Sequence, residues 1–576
     1  MNLKSKFSFK SVDEILPEYP RPQLERDSYI NLNGVWKYAI TESTSAPSEY
    51  DGDIIVPFSP ESPLSGVERT LMPNEYLWYK RTFTLDEDFI IDRVILNFGA
   101  VDRHAVVYIN DKEVCRHSGG YTPFSADITA ALTDGENIIT VRVKDETDKK
   151  DTGGRGKQSF QRGGIWYTPQ SGIWQTVWLE SVPENYIKSL RITPDFDKGR
   201  VEIYIESDKK VISTLSLEGK TYGFASNGTV GVTLKDFIPW TPESPYLYYF
   251  TITMGKDTVK SYFAMRKVSL GEVDGKTRIL LNNRPYFQFG LLDQGYYCDG
   301  LYTPQSDEAM IYDIELAKKS GFNMLRKHIK IEPMRWYYHC DRLGMIVWQD
   351  MVNGGDKYKF TTITLPLFTG KHANDSSYAK FARLSPEGRA AYYSELSETV
   401  NLLYNTPSVL VYTAFNEGWG QFDSQKALER IKALDSTRLV DVASGWHDKG
   451  YGDICSRHVY FRKYKYSPDK HKRAVVLSEF GGYSLRIDEH SMSSKKFGYR
   501  DYKDKEKLSN AVIALFKDVI ATAKKHSLSA FVYTQLSDVE DEVNGLVTYD
   551  RQLIKLDIQR INDLFHSSGL NDKNDK

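Results

Sequence analysis

Val409-Leu410-Val411-Tyr412-Thr413-Ala414-Phe415-Asn416-Glu417-Gly418-Trp419 decides the architecture of this chain. An unbroken run of apolar and β-branched residues that ends at a glycine turn reads as a strand buried on both faces, and such strands belong to parallel sheets. A second stretch closes the same way, with Ala474-Val475-Val476-Leu477-Ser478 leading into Glu479-Phe480-Gly481. Each strand delivers a carboxylate to the turn that follows it.

Beyond about Lys267, strands of this kind alternate with long helical patterns. They are predicted at Tyr286 to Leu291, Phe322 to Leu325, Met345 to Trp348, Val409 to Phe415, Leu439 to Ala443, Ile454 to Tyr460, Ala474 to Ser478 and Ala530 to Thr534. Eight parallel strands separated by helices close a (β/α)8 TIM barrel. The helical spacing predicts Asp307 to Lys319, stopped by Gly321, then Asn510 to Lys525 with Val512, Leu515, Phe516, Val519 and Ile520 on one face, and a last helix from Ile558 to Phe565. Chemistry in such a barrel sits at the C-terminal ends of its strands. There Glu417, after the fourth strand, and Glu479, ending the seventh, come from opposite walls.

Before the barrel the texture is all β. Val94 to Phe98, Ala105 to Ile109 ahead of Asn110-Asp111, Ile138 to Val143 and Trp174 to Leu179 are short alternating strands. They predict a jelly-roll β-sandwich over residues 1–182. A shorter series, including Val201 to Ile205, Val211 to Leu215 and Tyr246 to Thr253, predicts an immunoglobulin-like β-sandwich over 183–266, leaving 267–576 to the barrel. Gly569 to Lys576 is polar and predicted to fray.

With 576 residues and a formal charge of -2, the chain offers no field that would gather nucleic acid or an anionic membrane. Composition alone leaves a small or neutral partner; it is the carboxylate pair, Glu417 and Glu479, that makes a small carbohydrate or glycoside the expected one, and a homo-oligomer is left open. Cys115, Cys298, Cys340 and Cys455 are scattered without metal-ligand spacing and read as reduced thiols, so no cofactor and no metal are expected. Lys10, Asp13 and Glu14 interrupt the N-terminus too early for a secretory signal, and no apolar run is long enough to span a membrane. A cytoplasmic enzyme is the expectation.

Two glutamates facing across a pocket can hydrolyse a glycoside, one protonating the departing oxygen and the other attacking as an anion. Asn416-Glu417-Gly418 and Ser478-Glu479-Phe480-Gly481, on a chain of this layout, resemble glycoside hydrolase family 2, which groups β-galactosidases, β-glucuronidases, β-mannosidases and related exo-enzymes. Pro20-Arg21-Pro22-Gln23-Leu24, Leu32-Asn33-Gly34-Val35-Trp36 and Ser171-Gly172-Ile173-Trp174-Gln175 extend the likeness, as do Gly321 to His328 and Cys340 to Met345 in the barrel. The resemblance implies that Glu417 is the acid/base, Glu479 the nucleophile and Asn416 the donor to the sugar 2-hydroxyl.

Around this pair the strand ends place further substrate-binding candidates: Asp293, His328, Asp350, Trp446, His447, His458, Tyr460, Tyr533 and Gln535. Trp348 and Trp419 are read as sugar platforms or as packing at the rim. The chain also departs from the family's pattern. Arg326-Lys327-His328 is one residue shorter than the common Arg-Thr-Ser-His, and Tyr533 is read at strand eight where relatives often present Trp. The Asn-x-Lys signature of glucuronidases is absent from the barrel loops, although Arg326, Lys327, Arg457 and Arg551 remain able to pair with an anion.

Three loops complete the reading. Thr152-Gly153-Gly154-Arg155-Gly156-Lys157-Gln158 is glycine-rich and basic, without the strand-to-helix context of a phosphate cradle, and is expected to reach over the barrel mouth. Val352 to Arg383 is long enough to build a leaving-group subsite. Asp538 to Asp550, carrying Glu540, Asp541 and Glu542, is read as a solvated charge run. The combined expectation is a retaining exo-β-glycosidase, first a β-galactosidase. The alternatives are β-glucuronidase, β-mannosidase, α-L-arabinosidase and an inactive carbohydrate-binding protein.

Overall fold

A computed structural model describes residues 3–7, 11–151 and 153–571. Thr152 of the glycine-rich loop and the polar tail 572–576 lie outside the described residues.

The first sandwich pairs a four-stranded with a six-stranded sheet. Its centre is Glu136–Lys144, which runs antiparallel to Tyr76–Thr84 on one side and His104–Ile109 on the other, setting Val141 between Tyr79 and Val107. These alternate side chains meet Leu96, Phe98 and Leu179 of the facing sheet, and all are buried. Asn110 and Asp111 both take positive φ, the backbone a two-residue hairpin turn demands. The second sandwich stacks three strands on four. Arg200–Glu206 shows its period, burying Val201, Ile203 and Ile205 while Arg200, Glu202 and Glu206 face water.

All eight barrel strands appear where the apolar runs predict them. They are Gln288–Asp293, Met324–Lys327, Ile346–Asp350, Val409–Asn416, Leu439–Ser444, Ile454–Val459, Ala474–Gly481 and Ala530–Thr534, numbered one to eight below. Adjacent pairs are parallel, and the hydrogen-bonded order runs five-four-three-two-one-eight-seven-six. Strands five and six are therefore the two ends of the order, joined at their base by Asp453 N donating to Val440 O at 2.9 Å. Helix Asp307–Lys319 has the bounds the sequence predicts, and Lys505–His526 extends the predicted helix at both ends. The latter buries Val512, Phe516 and Val519, with Phe516 stacked on Phe531 of strand eight.

A three-stranded sheet, Val268–Val273, Lys276–Leu281 and Arg284–Pro285, was not anticipated. Its Val268, Ile279 and Leu281 pack against Met324, Ile346, Leu410 and Val476, forming a floor for the barrel at the end away from the carboxylates. Trp348 belongs to this floor: it is fully buried and donates to Gln288 Oε1, which removes it as a sugar platform. The 352–383 insert contains two short helices, Phe360–Ile363 and Leu365–Thr369, before the return helix Pro386–Leu403. Cys298, Cys340 and Cys455 are buried free thiols, and Cys115 is half-buried and free.

Candidate active site

Strand two brings the organising cation. Arg326 points into the barrel and is completely buried, with Nε 3.0 Å from Asp350 Oδ1, Nη1 3.0 Å from Glu479 Oε1 and Nη2 2.7 Å from Asn416 Oδ1. One planar guanidinium thus fixes groups from strands three, seven and four. A guanidinium only donates, so the Asn416 oxygen faces it and Nδ2 is left buried without a partner among the described residues. His328, two residues on and on the same face, has Nδ1 2.8 Å from Asp350 Oδ2.

Glu417 and Glu479 converge. With His458 they present ligand atoms that all lie within 4.8 Å of one another. His458 Nδ1 is 2.9 Å from Glu417 Oε1 and 3.6 Å from Glu479 Oε2, while its Nε2 is 3.0 Å from Ser444 Oγ. Tyr460, two residues along strand six, donates to Glu479 Oε2. Trp446 donates to the Glu417 backbone carbonyl at 2.8 Å, holding the turn in which Glu417 takes a positive φ.

The two carboxyls lie in opposite electrostatic settings. Burial raises the pKa of Glu417, and the neighbouring charge of Glu479 raises it further, against lowering contributions from His458 and Lys157. Burial also acts to raise Glu479, but His458, Arg326, His328 and the Tyr460 hydroxyl outweigh it and hold the group below the ordinary carboxylate range. The two displacements run in the opposite directions that a general acid and an anionic nucleophile would need. His328 is pushed down to about 4, by burial first, and is neutral beside them.

Glu417, His458 and Glu479 are also the one group of three such side chains, among the described residues, spaced to hold a metal ion. Glu417 Oε1 is already engaged by His458 and both Glu479 oxygens by Arg326 and Tyr460, and the Arg326 charge at 3.0 Å opposes a second cation. The donor set fits proton chemistry better than metal binding.

Some sequence candidates are placed elsewhere. Tyr533 faces away from the pair, packed against Phe480 and Phe516 between barrel and helix; the inward residue is Thr534, with Oγ1 3.2 Å from Tyr460 Oη. His447 holds the long insert, with Nε2 2.8 Å from Thr362 O and Nδ1 accepting from Ala373 N. Asp293 is taken by Lys327 at 2.7 Å, and Gln535 lies in an internal chain between Gln294 and Asn544. The acidic loop is not solvated. Asp538, Glu540, Asp541 and Glu542 are all buried, engaged by Lys555, Arg162, Ser493 and Tyr167.

Sequence reading assigned no sugar contact to Lys157, Tyr499 or Glu542, which stand around the mouth. The basic loop, expected to reach over the barrel mouth, meets the 352–383 insert at close range. A Cβ on Gly354 would sit 1.8 Å from Gly153 O, because the loop's backbone presses directly on the insert, where Arg155 N and Gly156 N donate to Asn353 O. Trp166 of the same sandwich lies 5.4 Å from Trp419, whose ring in turn meets His328. On the other side an aromatic series leads outward. Tyr460 stacks on Tyr499 at 3.7 Å, Tyr499 meets Phe461 at 5.1 Å, and Phe461 stacks on Phe368 at 5.8 Å.

Comparisons with known proteins agree with this architecture. Residues 63–183 match the glycosyl hydrolases family 2 sugar binding domain, 185–266 match glycosyl hydrolases family 2, and 302–554 match the family 2 TIM barrel domain. A putative beta-glucuronidase of Formosa agariphila is 24% identical over 465 residues, covering 72% of this chain and 51% of the relative. A beta-galactosidase of Streptococcus thermophilus is 22% identical over 451 residues, covering 73% and 40%. The chain spans about half the length of such curated relatives. Among solved structures, a beta-D-glucuronidase of Dictyoglomus thermophilum superposes with a TM-score of 0.74 at 18% identity, covering 96% of this chain and 98% of that one. A beta-galacturonidase of Eisenbergiella tayi, bound to galacturonate, gives 0.70 at 18% identity, covering 96% and 99%. With its three domains each matched in order, the chain belongs to glycoside hydrolase family 2.

Proposed function

We propose that this chain is a retaining exo-β-glycosidase that removes a terminal β-galactosyl residue through a covalent glycosyl-enzyme intermediate. The observation that carries the reading is the convergence of Glu417 and Glu479 within 4.8 Å, with their pKa values displaced in opposite directions. Retaining enzymes keep their two carboxyl groups about 5–5.5 Å apart. Glu479 attacks the anomeric carbon while Glu417 gives its proton to the departing oxygen. Glu417 then takes a proton from the water that displaces Glu479 from the sugar. Arg326 and Tyr460 keep the nucleophile anionic, and the free Nδ2 of Asn416 is available to the 2-hydroxyl.

The glycine-rich loop across the mouth supports action at chain ends. The exposed rings of Phe368 and Phe461, beside the insert, suit the leaving-group side. A neutral sugar is favoured because Arg326, Lys327 and Arg551 are already paired with Asp350, Asp293 and Asp313, while Arg457, with Nη1 3.4 Å from Ser456 O, and Lys157, 4.0 Å from Glu542, are not hydrogen-bonded to a carboxylate among the described residues. A β-glucuronide is the second reading, favoured by the names of several relatives. Assaying aryl glycosides of galactose, glucuronic acid, mannose, fucose and arabinose decides between them; silence on all five would leave a carbohydrate-binding protein. Glu479→Gly is expected to lower turnover by roughly 10⁴-fold or more, with azide restoring product of inverted configuration. If azide rescued Glu417→Gly in that way instead, the two roles would be reversed.

A further inference from the structure

The ammonium group of Lys157 stands in the barrel mouth without a hydrogen bond. Its side chain is 6% exposed, and among the described residues no acceptor lies within bonding distance. Glu542 Oε2, the carboxylate oxygen in reach, is 4.0 Å away and already accepts from Tyr167. The rings of Tyr167 and Trp419 flank the ammonium at 5.3 and 5.6 Å. Its charge acts on both Glu417 and His328, which places it over the same pocket. An ammonium held in the mouth without a protein acceptor at hydrogen-bond distance takes its acceptors from water or from a ligand.

The side chain is also held in place from both directions along the chain. Before it, Gly154 N donates to Glu395 Oε2 at 2.7 Å, and Arg155 N and Gly156 N donate to Asn353 O. Its own carbonyl accepts from Tyr167 N at 2.9 Å. After it, Gln158 donates to Asp102 at 2.8 Å and accepts from Gln170 N at 2.6 Å. The sandwich therefore presents this cation to the barrel mouth on a preorganised backbone.

We infer that Lys157 is a specificity-determining residue supplied by the first sandwich to the barrel's sugar subsite, where its ammonium and the Glu542 carboxylate grip a hydroxyl on the edge of the ring farthest from the scissile bond. This deepens the glycosidase reading and rests on it. Asn416 and Glu479 take the anomeric end, so Lys157, across the mouth, meets the distal edge. A hydroxyl can accept from the ammonium and donate to the carboxylate at once. A uronate carboxylate in the same place would lie against Glu542, with Glu540 and Asp541 in the same loop. The class of glycone is thus a neutral pyranose.

The test begins with the full-length enzyme and whichever aryl glycoside it hydrolyses. Lys157→Met is expected to lower kcat/KM by about 10- to 100-fold, the range for a lost charge-assisted hydrogen bond. Substrates lacking the 3-, 4- or 6-hydroxyl are then compared. For one of them the wild type should lose activity and Lys157→Met should lose no more, the coupling expected when side chain and hydroxyl touch. Lys157→Gln, which keeps a donor but not the charge, should fall between and guards against a folding defect in the Met variant. Three results would overturn the inference: kcat/KM within about twofold of wild type on every substrate, an equal loss across the whole deoxy series, or a loss confined to uronides. A wild type inactive on the whole panel would sink the glycosidase reading instead. Calorimetric binding of galactonolactam to wild type and Lys157→Met would then decide the role of Lys157, equal affinities overturning it.

Discussion

His458 touches both carboxyls, and its removal has a predictable sign. Its presence lowers the pKa of Glu417 and of Glu479. Without it each carboxyl holds its proton to higher pH. The acid limb of kcat/KM, set by ionisation of Glu479, and the alkaline limb, set by loss of the Glu417 proton, should both move upward in His458→Ala, with activity at the optimum down by about 10²-fold. A pH profile on a nitrophenyl glycoside checks this, and limbs that stay put while the plateau falls would reduce His458 to packing. At this scale the sequence was readable wherever side-chain parity was counted correctly. His458 and Tyr460 share a face of strand six and both reach the pair. Arg326 shares a face with His328, so the organising cation was there to be found two residues before a predicted candidate. Tyr533 failed for the same reason in reverse. In a strand neighbouring residues point to opposite sides, and Thr534 is the inward one. Asp293, His447 and Gln535 lie at strand ends as expected, but their partners come from distant segments that no local pattern discloses.

Loops behaved differently from strands. The glycine-rich segment could be read as a loop reaching over the mouth, yet what its glycines avoid, the side chains of Arg103 and Glu395 at Gly153, Glu395 and Val352 at Gly154 and Tyr302 at Gly156, comes from segments far away in sequence. Gly354→Ala sets a new Cβ 1.8 Å from Gly153 O, a backbone atom that no side-chain rotation can move aside. The expected cost is about 1–3 kcal/mol, seen as a lower melting temperature, together with reduced kcat/KM as Lys157 is displaced. Gly223→Ala, where a Cβ meets nothing within 4 Å, should leave both unchanged. Equal behaviour of the two variants would remove the close approach as the cause. The acidic loop misled because a cluster of Asp and Glu usually lies in water. Here Lys555 inside the barrel domain and Arg162 from the sandwich pair with it and the Tyr167 hydroxyl donates to it, and those partners are invisible to a local reading.

Across the whole molecule, the order sandwich, sandwich, barrel could be read from the change in periodicity alone, whereas the cement between the parts could not. Arg26 is the clearest case. Buried at the junction, it is 2.9 Å from Glu180 of the first sandwich and 2.8 Å from Asp257 of the second. Arg26→Met leaves the buried Asp257 without its cation and Glu180 with Arg21 alone, and is expected to cost about 3–5 kcal/mol, read from the first transition in urea; an unshifted transition would show that the junction is held by its apolar contacts. Burial alone would raise Glu180, but Arg21 and Arg26 bring it down to about 2. Its contribution is therefore complete above the unfolded value of about 4.3 and fades as pH falls toward 2, so the sandwiches should separate in acid before the barrel melts. The barrel has its own weak line. Strands five and six close on each other mainly through side chains, with Ser456 Oγ donating to Asp441 and Ser444 Oγ meeting both Ser456 and His458. Hydroxyl contacts open more readily than a ladder of amides. In heavy water, the amides of 441–444 and 456–458 should take up deuterium well before those of strands one to four, so that the wall carrying His458 breathes while the wall carrying Arg326 stays shut.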